Sequence, residues 1–267
     1  MNRSVGPSQA ADHPKISIIT VCYNSAATIR ETIDSVLRQD YPNIEYIIVD
    51  GNSKDDTKKI VESYGNDIDI FVSEKDNGLY DAMNKAIDMA TGEIVGILNS
   101  DDIYAEPVII SLVMEEFKKT GADCVFGDLY YFRTGNTNKA LRYYRGKQFS
   151  RPKMRLGITP PHPTFFVRRV AYEKYGKFDL QFRFAADFDL MLRFLYVHSL
   201  SYSYIPKIMV KMRLGGVSTD GFRRMIEINK EDLRSYRKNG VKTNFILFHL
   251  KYVFKILHVR SFLSLFG

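Results

Sequence analysis

The sequence predicts an α/β fold: a Rossmann-like, mostly parallel sheet flanked by helices, with a helical extension at the C-terminus. Three observations carry this. From Lys15 to about Lys119, short β-branched runs alternate with segments of helical periodicity. Each apolar run ends abruptly in polar, turn-forming residues. Hydrophobic residues make up 45% of the 267 residues, enough for a substantial core.

The first strand is ISIITVCYN, Ile16 to Asn24. TIRETIDSVLRQ follows with Ile29, Ile33, Val36 and Leu37 on one helical face, behind a Thr28/Glu31 capping box. YIIVDG is the second strand, and Asp55 and Asp56 mark the start of the next helix. IDIFVSE is the third strand. LYDAMNKAIDMATG then sets Leu79, Met83, Ile87 and Ala90 at helical spacing, with Gly92 as the stop beyond the helix. EIVGILN is the fourth strand, and Pro107 opens another helix. Strict alternation of this kind implies a parallel, doubly wound sheet covered on both faces.

Residues 1–14 read as a loose polar tail without the apolar stretch of a signal peptide. Residues 15–219 read as the main domain, in two halves at 15–119 and 120–219, and residues 220–267 as an extension. The formal charge of +7 favours anionic partners. Cys22 and Cys124 have no metal-ligand spacing, so neither a zinc site nor a disulfide framework is expected, and a reducing cytoplasm fits. No apolar run approaches the roughly 20 residues of a spanning helix, so the body is expected to be soluble. In residues 244–266, Lys251, Lys255 and His258 share one helical face while Phe248, Tyr252, Phe254 and Leu257 crowd the rest. That pattern suits a helix lying on an anionic bilayer, at the inner face of the cell membrane. A helix packed on the body or on a second subunit is the alternative.

Ligands of open α/β sheets sit outside the carboxyl ends of the strands. Here those ends carry Tyr23 and Asn24, then Asp50, then Glu74 to Gly78, then Asn99 to Asp102. In GILNSDD two adjacent carboxylates, Asp101 and Asp102, end a buried strand. Neighbouring carboxylates repel unless a cation neutralises them, which makes the pair a seat for Mg²⁺ or Mn²⁺. An N-cap ahead of a helix is the alternative. No Gly-x-Gly-x-x-Gly or Walker lysine motif is present, which argues against dinucleotide dehydrogenases and P-loop enzymes.

The segments TVCYNSAATIRETIDSVLRQDYPNIEYIIVDGNSKDDT and SEKDNGLYDAMNKAIDMATGEIVGILNSDD strongly resemble glycosyltransferase family 2, and the likeness runs from about Lys15 to Gly216. The resemblance implies the A-type glycosyltransferase fold, with a nucleotide-binding half at 15–119 and an acceptor half at 120–219. It also implies that Thr20, Tyr23 and Asn24 line the nucleotide, that Asp50 accepts a hydrogen bond from the base, and that Asn77, Gly78, Asn84, Asn99 and Ser100 lie about the donor. NSDD is similar to the family's Asp-x-Asp signature, with Asp101 near the ribose or metal and Asp102 as principal ligand of Mn²⁺ or Mg²⁺. DGNS, Asp50 to Ser53, departs from the commoner Asp-Asp-Gly-Ser and leaves the base preference open.

RFAADFDLMLRFLYVH is helical from about Asp187, with Phe188, Met191, Leu192 and Leu195 facing a core. By resemblance the catalytic base lies just before such a helix. Asp187 matches that position, Ala186 replaces the usual preceding Glu, and Asp189 is the reserve. Stiffened by three prolines, His162 in TPPHPTFFVRR is set to contact acceptor or donor phosphate, or to serve as a structural hydrogen-bonder. KMRLGGVST is similar to the family's flexible loop over the diphosphate, with Arg213 on phosphate and Gly215 and Gly216 as hinges; a turn beyond an edge strand is the alternative. DLYYFRTGNTNKALRYY reads as a hairpin around Gly135 and Asn136, whose Tyr130, Tyr131, Tyr143 and Tyr144 stack on sugars or on each other.

The expected function is therefore an inverting, metal-dependent transfer of a sugar from a nucleotide-sugar, a UDP-sugar first, to a glycan or lipid-linked acceptor in polysaccharide synthesis. The alternatives are a nucleotidyltransferase, which releases pyrophosphate, or a basic membrane- or nucleic-acid-binding module. Acidic groups on the rim repel nucleic-acid phosphates, so no nucleic acid is expected there.

Overall fold

A computed structural model of the chain describes residues 13–214, 221–243 and 248. The first four apolar runs lie together as β1 (Ile16–Cys22), β2 (Ile44–Asp50), β3 (Ile70–Ser73) and β4 (Ile94–Ile97), in spatial order β3-β2-β1-β4. All three ladders are parallel, with Ile16 opposite both Ile44 and Ile94, and Ile47 opposite Ile70. Equal register brings their carboxyl ends to one rim. Between them run α1 (Ile29–Leu37), α2 (Thr57–Glu62) and α3 (Leu79–Met89). Alternate residues feed two cores, as expected of a doubly wound sheet. Ile19, Val21, Ile47 and Val49 pack with α3 residues such as Met83, while Ile18 and Ile48 pack with Ile29 and Ile33 of α1.

Beyond α4 (Ile109–Thr120) the alternation stops, and the sheet becomes mixed. It continues through β8 (Phe166–Arg168), β6 (Cys124–Phe132) and β9 (Tyr202–Arg213) to β5 (Ile103–Tyr104), with β7 (Arg142–Tyr144) beside β6. β8 is antiparallel to β4 and β6, β7 is antiparallel to β6, and β9 runs parallel to β6. The hairpin expected around Gly135 and Asn136 is present. Parallel ladders remain the longer ones, so the expected mostly parallel sheet holds. β5 is only two residues long, yet it decides the site: immediately after Asp102 the chain crosses to pair Ile103 with Lys211 and Tyr104 with Val210. The end of β4 is thereby fastened to the end of β9.

The helix expected after Asp55 and Asp56 begins at Thr57, and Asp55 accepts from the Thr57 amide at 3.0 Å and from Ala26 at 3.0 Å. Three local expectations are corrected. Thr28 makes no cap bond and donates weakly to the Ser25 carbonyl at 3.4 Å, while Glu31 turns to Arg213 at 2.7 Å. A charged partner outcompetes the reciprocal backbone bond of a capping box. α3 ends at Met89, before Gly92, and Gly92 is instead a point of close approach, where a Cβ would lie 2.5 Å from the Ser17 nitrogen. Leu79 is 45% exposed, because it stands on the rim at the first turn of α3 and not over the core.

Two further helices complete the second layer: α5 (Arg169–Tyr175), and α6 (Ala186–Met191), which continues as one π-helical stretch, Leu192–Val197. Phe188, Met191, Leu192 and Leu195 are buried as their spacing predicts. α7 (Gly221–Lys238) lies against this layer with Tyr236 fully buried; the Tyr236 hydroxyl bonds the Met154 carbonyl and accepts from the Gly157 amide at 3.1 Å. No helix among the described residues is long and apolar enough to cross a membrane. The proposed bilayer helix at 244–266 lies outside the described residues except for Phe248, which is buried with its ring 6.1 Å from that of Tyr236.

Candidate active site

The rim of β1 to β3 is built from turns that consume several of the polar groups expected to face a ligand. Thr20 lies inside the core, its hydroxyl 3.1 Å from that of Tyr46, and adds no surface to the rim. Asp50 is fully buried, and both of its oxygens are engaged, by the Ser53 hydroxyl and amide and by the Ser73 hydroxyl at 2.7 Å. Asp50 thus closes the turn that follows β2. Asn24, at φ 50°, spends its carbonyl oxygen on the Lys54 amide at 2.8 Å. Tyr23 remains 60% exposed at the end of β1. Asp76, which sequence reasoning missed, sits over Gly51, where a Cβ would lie 2.5 Å from its carboxylate. Its other oxygen accepts from the Gly78 amide at 2.9 Å, and Gly78 takes φ 115°, a backbone state that favours glycine. Asn77 donates to Asp81 from both backbone and side chain. Asn84 departs from the rim altogether: its amide clasps the Phe178 carbonyl and N–H at 2.8 and 2.9 Å, tying α3 to the second half.

The tip of β4 holds the acidic pair. A strand follows it and no helix does, so the carboxylates are not N-caps. Asp102 is 1% exposed; its backbone is held by Asn99 at 3.0 Å and Thr32 at 2.8 Å. Its side chain accepts only from the Arg213 amide at 3.3 Å and Asn99 Nδ2 at 3.4 Å, both long bonds, and it has no ion pair among the described residues. Burial and the charge on Asp101 hold the Asp102 carboxyl well above the ordinary range, and burial raises Asp101 too. Asn99 Oδ1 is buried without a hydrogen-bond partner among the described residues, and Ser100 bonds Ser25 across the rim at 2.9 Å. Two acids and an unmatched amide oxygen form an all-oxygen donor set short of positive charge, which fits a hard divalent cation. Among the described residues no three acidic, histidine or cysteine side chains converge. An ion here would complete its shell with water and ligand oxygens, as Mg²⁺ does at phosphate sites.

Across the sheet, Asp187 and His162 line one pocket of about 240 Å³, walled by Tyr131, Tyr144, Met191 and Met212. Asp187 Oδ1 is fixed by the Phe188 amide at 2.8 Å and the Tyr80 hydroxyl at 3.2 Å. Among the described residues Oδ2 has no protein partner. Burial lowers the pKa of His162, while the Asp187 carboxylate opposes that shift; the ring lies 6.0 Å from Phe178, edge to face. Asp189, the reserve base, is instead structural. It is fully buried and bonded to Arg193 at 2.9 Å, Ser235 at 2.7 Å and Asn239 at 2.9 Å. Two residues along a helix point to different sides, so only Asp187 reaches the pocket.

Arg213 ends β9 and is 7% exposed, paired with Glu31 at 2.7 Å and Thr134 at 3.1 Å over the Phe132 ring. It braces the chain beside Asp102, and its buried Nε has no hydrogen-bond partner among the described residues; Gly215 and Gly216 lie outside the described residues. Tyr130 and Tyr143 pack edge to face at 5.9 Å, and only Tyr131 and Tyr144 reach the pocket.

One more group had no sequence signal. Glu231 of α7 accepts the backbone N–H groups of Arg183, Phe184 and Ala185 at 3.0, 2.8 and 2.9 Å, holding the loop that leads into Asp187. Glu231→Ala leaves three donors unmatched, and we expect it to destabilise the fold by about 2 kcal/mol or more. A melting curve checks this, and an unchanged midpoint would remove the clamp.

The Glycosyl transferase family 2 pattern matches residues 17–176. An uncharacterised glycosyltransferase of Rickettsia typhi is 30% identical over 212 residues, covering 77% of this chain and 66% of the relative. A PGL/p-HBAD biosynthesis glycosyltransferase of Mycobacterium tuberculosis is 27% identical over 210 residues, covering 77% of this chain and 79% of the relative. Among solved structures, S. aureus TarS in complex with UDP-GlcNAc superposes with a TM-score of 0.66 at 19% identity, covering 84% of this chain and 65% of that one. A mannosyltransferase from Pyrobaculum calidifontis, in complex with GDP-Man and Mn²⁺, gives 0.62 at 20% identity, over 83% and 65%. The chain thus spans slightly less than two thirds of the Rickettsia relative and of both solved neighbours.

Proposed function

The chain belongs to glycosyltransferase family 2 and has the A-type glycosyltransferase fold, and from that premise we propose an inverting transfer from a nucleotide-sugar to a glycan or lipid-linked hydroxyl. A UDP-sugar is the first donor to consider. Neighbours of the same fold hold UDP-GlcNAc or GDP-Man, which supports a nucleoside diphosphate on the rim. The observation that carries the chemistry is the carboxylate of Asp187, with one oxygen anchored and the other open to the pocket.

Asp187 takes the proton of the acceptor hydroxyl as that oxygen bonds to the anomeric carbon of the donor. The bond from the anomeric carbon to the diphosphate breaks, and its electron pair leaves with the nucleoside diphosphate. Approach opposite the leaving group inverts the anomeric centre, with no sugar bound covalently to the protein. Asp102, with Asp101, would hold Mn²⁺ or Mg²⁺, which when bound offsets the negative charge of the diphosphate. Tyr80 and the Phe188 amide keep Asp187 aimed, and Glu231 fixes the loop before it.

A panel of UDP- and GDP-sugars scored for nucleoside diphosphate release, with and without Mn²⁺, tests this. We expect release from a UDP-sugar that requires the metal. Pyrophosphate release from a nucleoside triphosphate and a sugar phosphate would favour a nucleotidyltransferase instead.

A further inference from the structure

Between Asp128 and Glu173 the sequence contains ten lysines and arginines and no acid. The structure divides them. Arg151, Lys153, Arg155, Arg168 and Arg169 donate to carbonyls or carboxylates of the protein. Arg133, Lys139, Arg142, Arg145 and Lys147, on the β6–β7 hairpin and just after it, are exposed, and among the described residues their side chains have neither an ion pair nor a hydrogen bond. Five cations on about 15 residues repel one another unless an anion joins them.

Arg142 is set apart by its position. It stands opposite Tyr131 in the ladder, Tyr131 stands opposite Met212, and all three line the pocket that contains Asp187 and His162. Its guanidinium lies 5.9 Å from the centre of the Tyr131 ring, and among the described residues no carboxylate pairs with it, Asp187 included. A guanidinium held on an aromatic face with its donors uncommitted matches the planar, two-point geometry of a phosphate or carboxylate. The aromatic and methionine walls beside it suit the apolar face of a sugar ring.

We propose that the acceptor is anionic: the sugar that receives the transfer carries a phosphate or other oxyanion, which Arg142 binds at the mouth of the Asp187 pocket, with the other hairpin cations extending the field. This rests on the reading of the pocket as the acceptor site. A bilayer surface would also meet exposed cations, but it cannot enter a pocket beside Asp187, so the acceptor's own oxyanion is the better match.

Binding of glucose and of glucose 6-phosphate, followed by ligand-observed NMR with and without saturating UDP and Mn²⁺, tests this without needing turnover. We expect glucose 6-phosphate to bind at least about tenfold tighter than glucose, a difference near 1.4 kcal/mol. Arg142→Gln should abolish that preference with the melting temperature and UDP binding unchanged, and Arg142→Lys should restore only part of it. Equal binding of the two sugars, no binding of either, or a preference that survives Arg142→Gln overturns the proposal. So does a result in which Arg142→Gln weakens binding only to phosphatidylglycerol vesicles. Failure of the donor reading has a separate signature, the absence of UDP binding, and leaves the comparison of the two sugars readable.

Discussion

Asp187→Asn is expected to bind a UDP-sugar as the wild type does and to transfer it about 10²–10⁴-fold more slowly, the usual worth of a positioned base. The amide is nearly isosteric. Its oxygen can still accept from the Phe188 N–H and the Tyr80 hydroxyl, so the loop should keep its shape. What is lost is the open Oδ2 as a proton acceptor, because an amide nitrogen in that place donates. Single-turnover rates beside donor affinity separate the two effects. Wild-type transfer by this variant would take Asp187 out of the chemistry, and a parallel loss of donor binding would make its role structural.

The second large effect is expected at Asp102, with opposite signs for binding and stability. In the absence of metal a carboxylate that is 1% exposed, lies beside Asp101 and, among the described residues, has only two long hydrogen bonds is poorly compensated. Asp102→Asn removes the charge. Its new N–H₂ can donate to Asn99, whose Oδ1 is buried without a partner and can turn toward it. The metal-free variant should therefore melt higher than the wild type. Metal-dependent donor binding should fall by about 100-fold or more, since even second-shell changes cost 10–100-fold. Calorimetry in the presence and absence of Mn²⁺ reads both. A variant that melts lower without metal and binds donor normally would make the acidic pair a structural feature. A stability cost at a functional position is a familiar exchange, and here it lies on one residue.

The parallel half of the fold was legible because its signals are local. β-branched runs, helical spacing and polar strand ends each occupy a few consecutive residues, and equal register does the rest. The helix behind Asp187 was legible for the same reason, whereas the role expected of Asp187 itself came from the resemblance and not from periodicity. What escaped were side chains whose partners lie far away in sequence. The Ser73 hydroxyl reaches Asp50 from the next strand, and Ser235 and Asn239, of α7 and its C-terminal turn, hold Asp189, the reserve to Asp187. Glu231 reaches back 46 to 48 residues to the loop at Arg183 to Ala185. No periodicity reports such a contact. The two-residue β5 is too short to leave a pattern, yet it brings Arg213 beside Asp102. The hairpin was visible from its turn residues, whereas nothing local in the sequence tells that Arg142 lines the pocket without an ion-pair partner among the described residues.

The central claim is that the acidic pair at the tip of β4 grips a nucleoside diphosphate through a divalent ion, facing the carboxylate of Asp187. Anomalous diffraction from crystals grown with UDP and Mn²⁺ tests it most directly. The account predicts a manganese peak about 2.0–2.6 Å from an Asp102 oxygen, bridged to the diphosphate. Nucleotide bound without such a peak, with Asp102 still turned to the Arg213 amide, would contradict it.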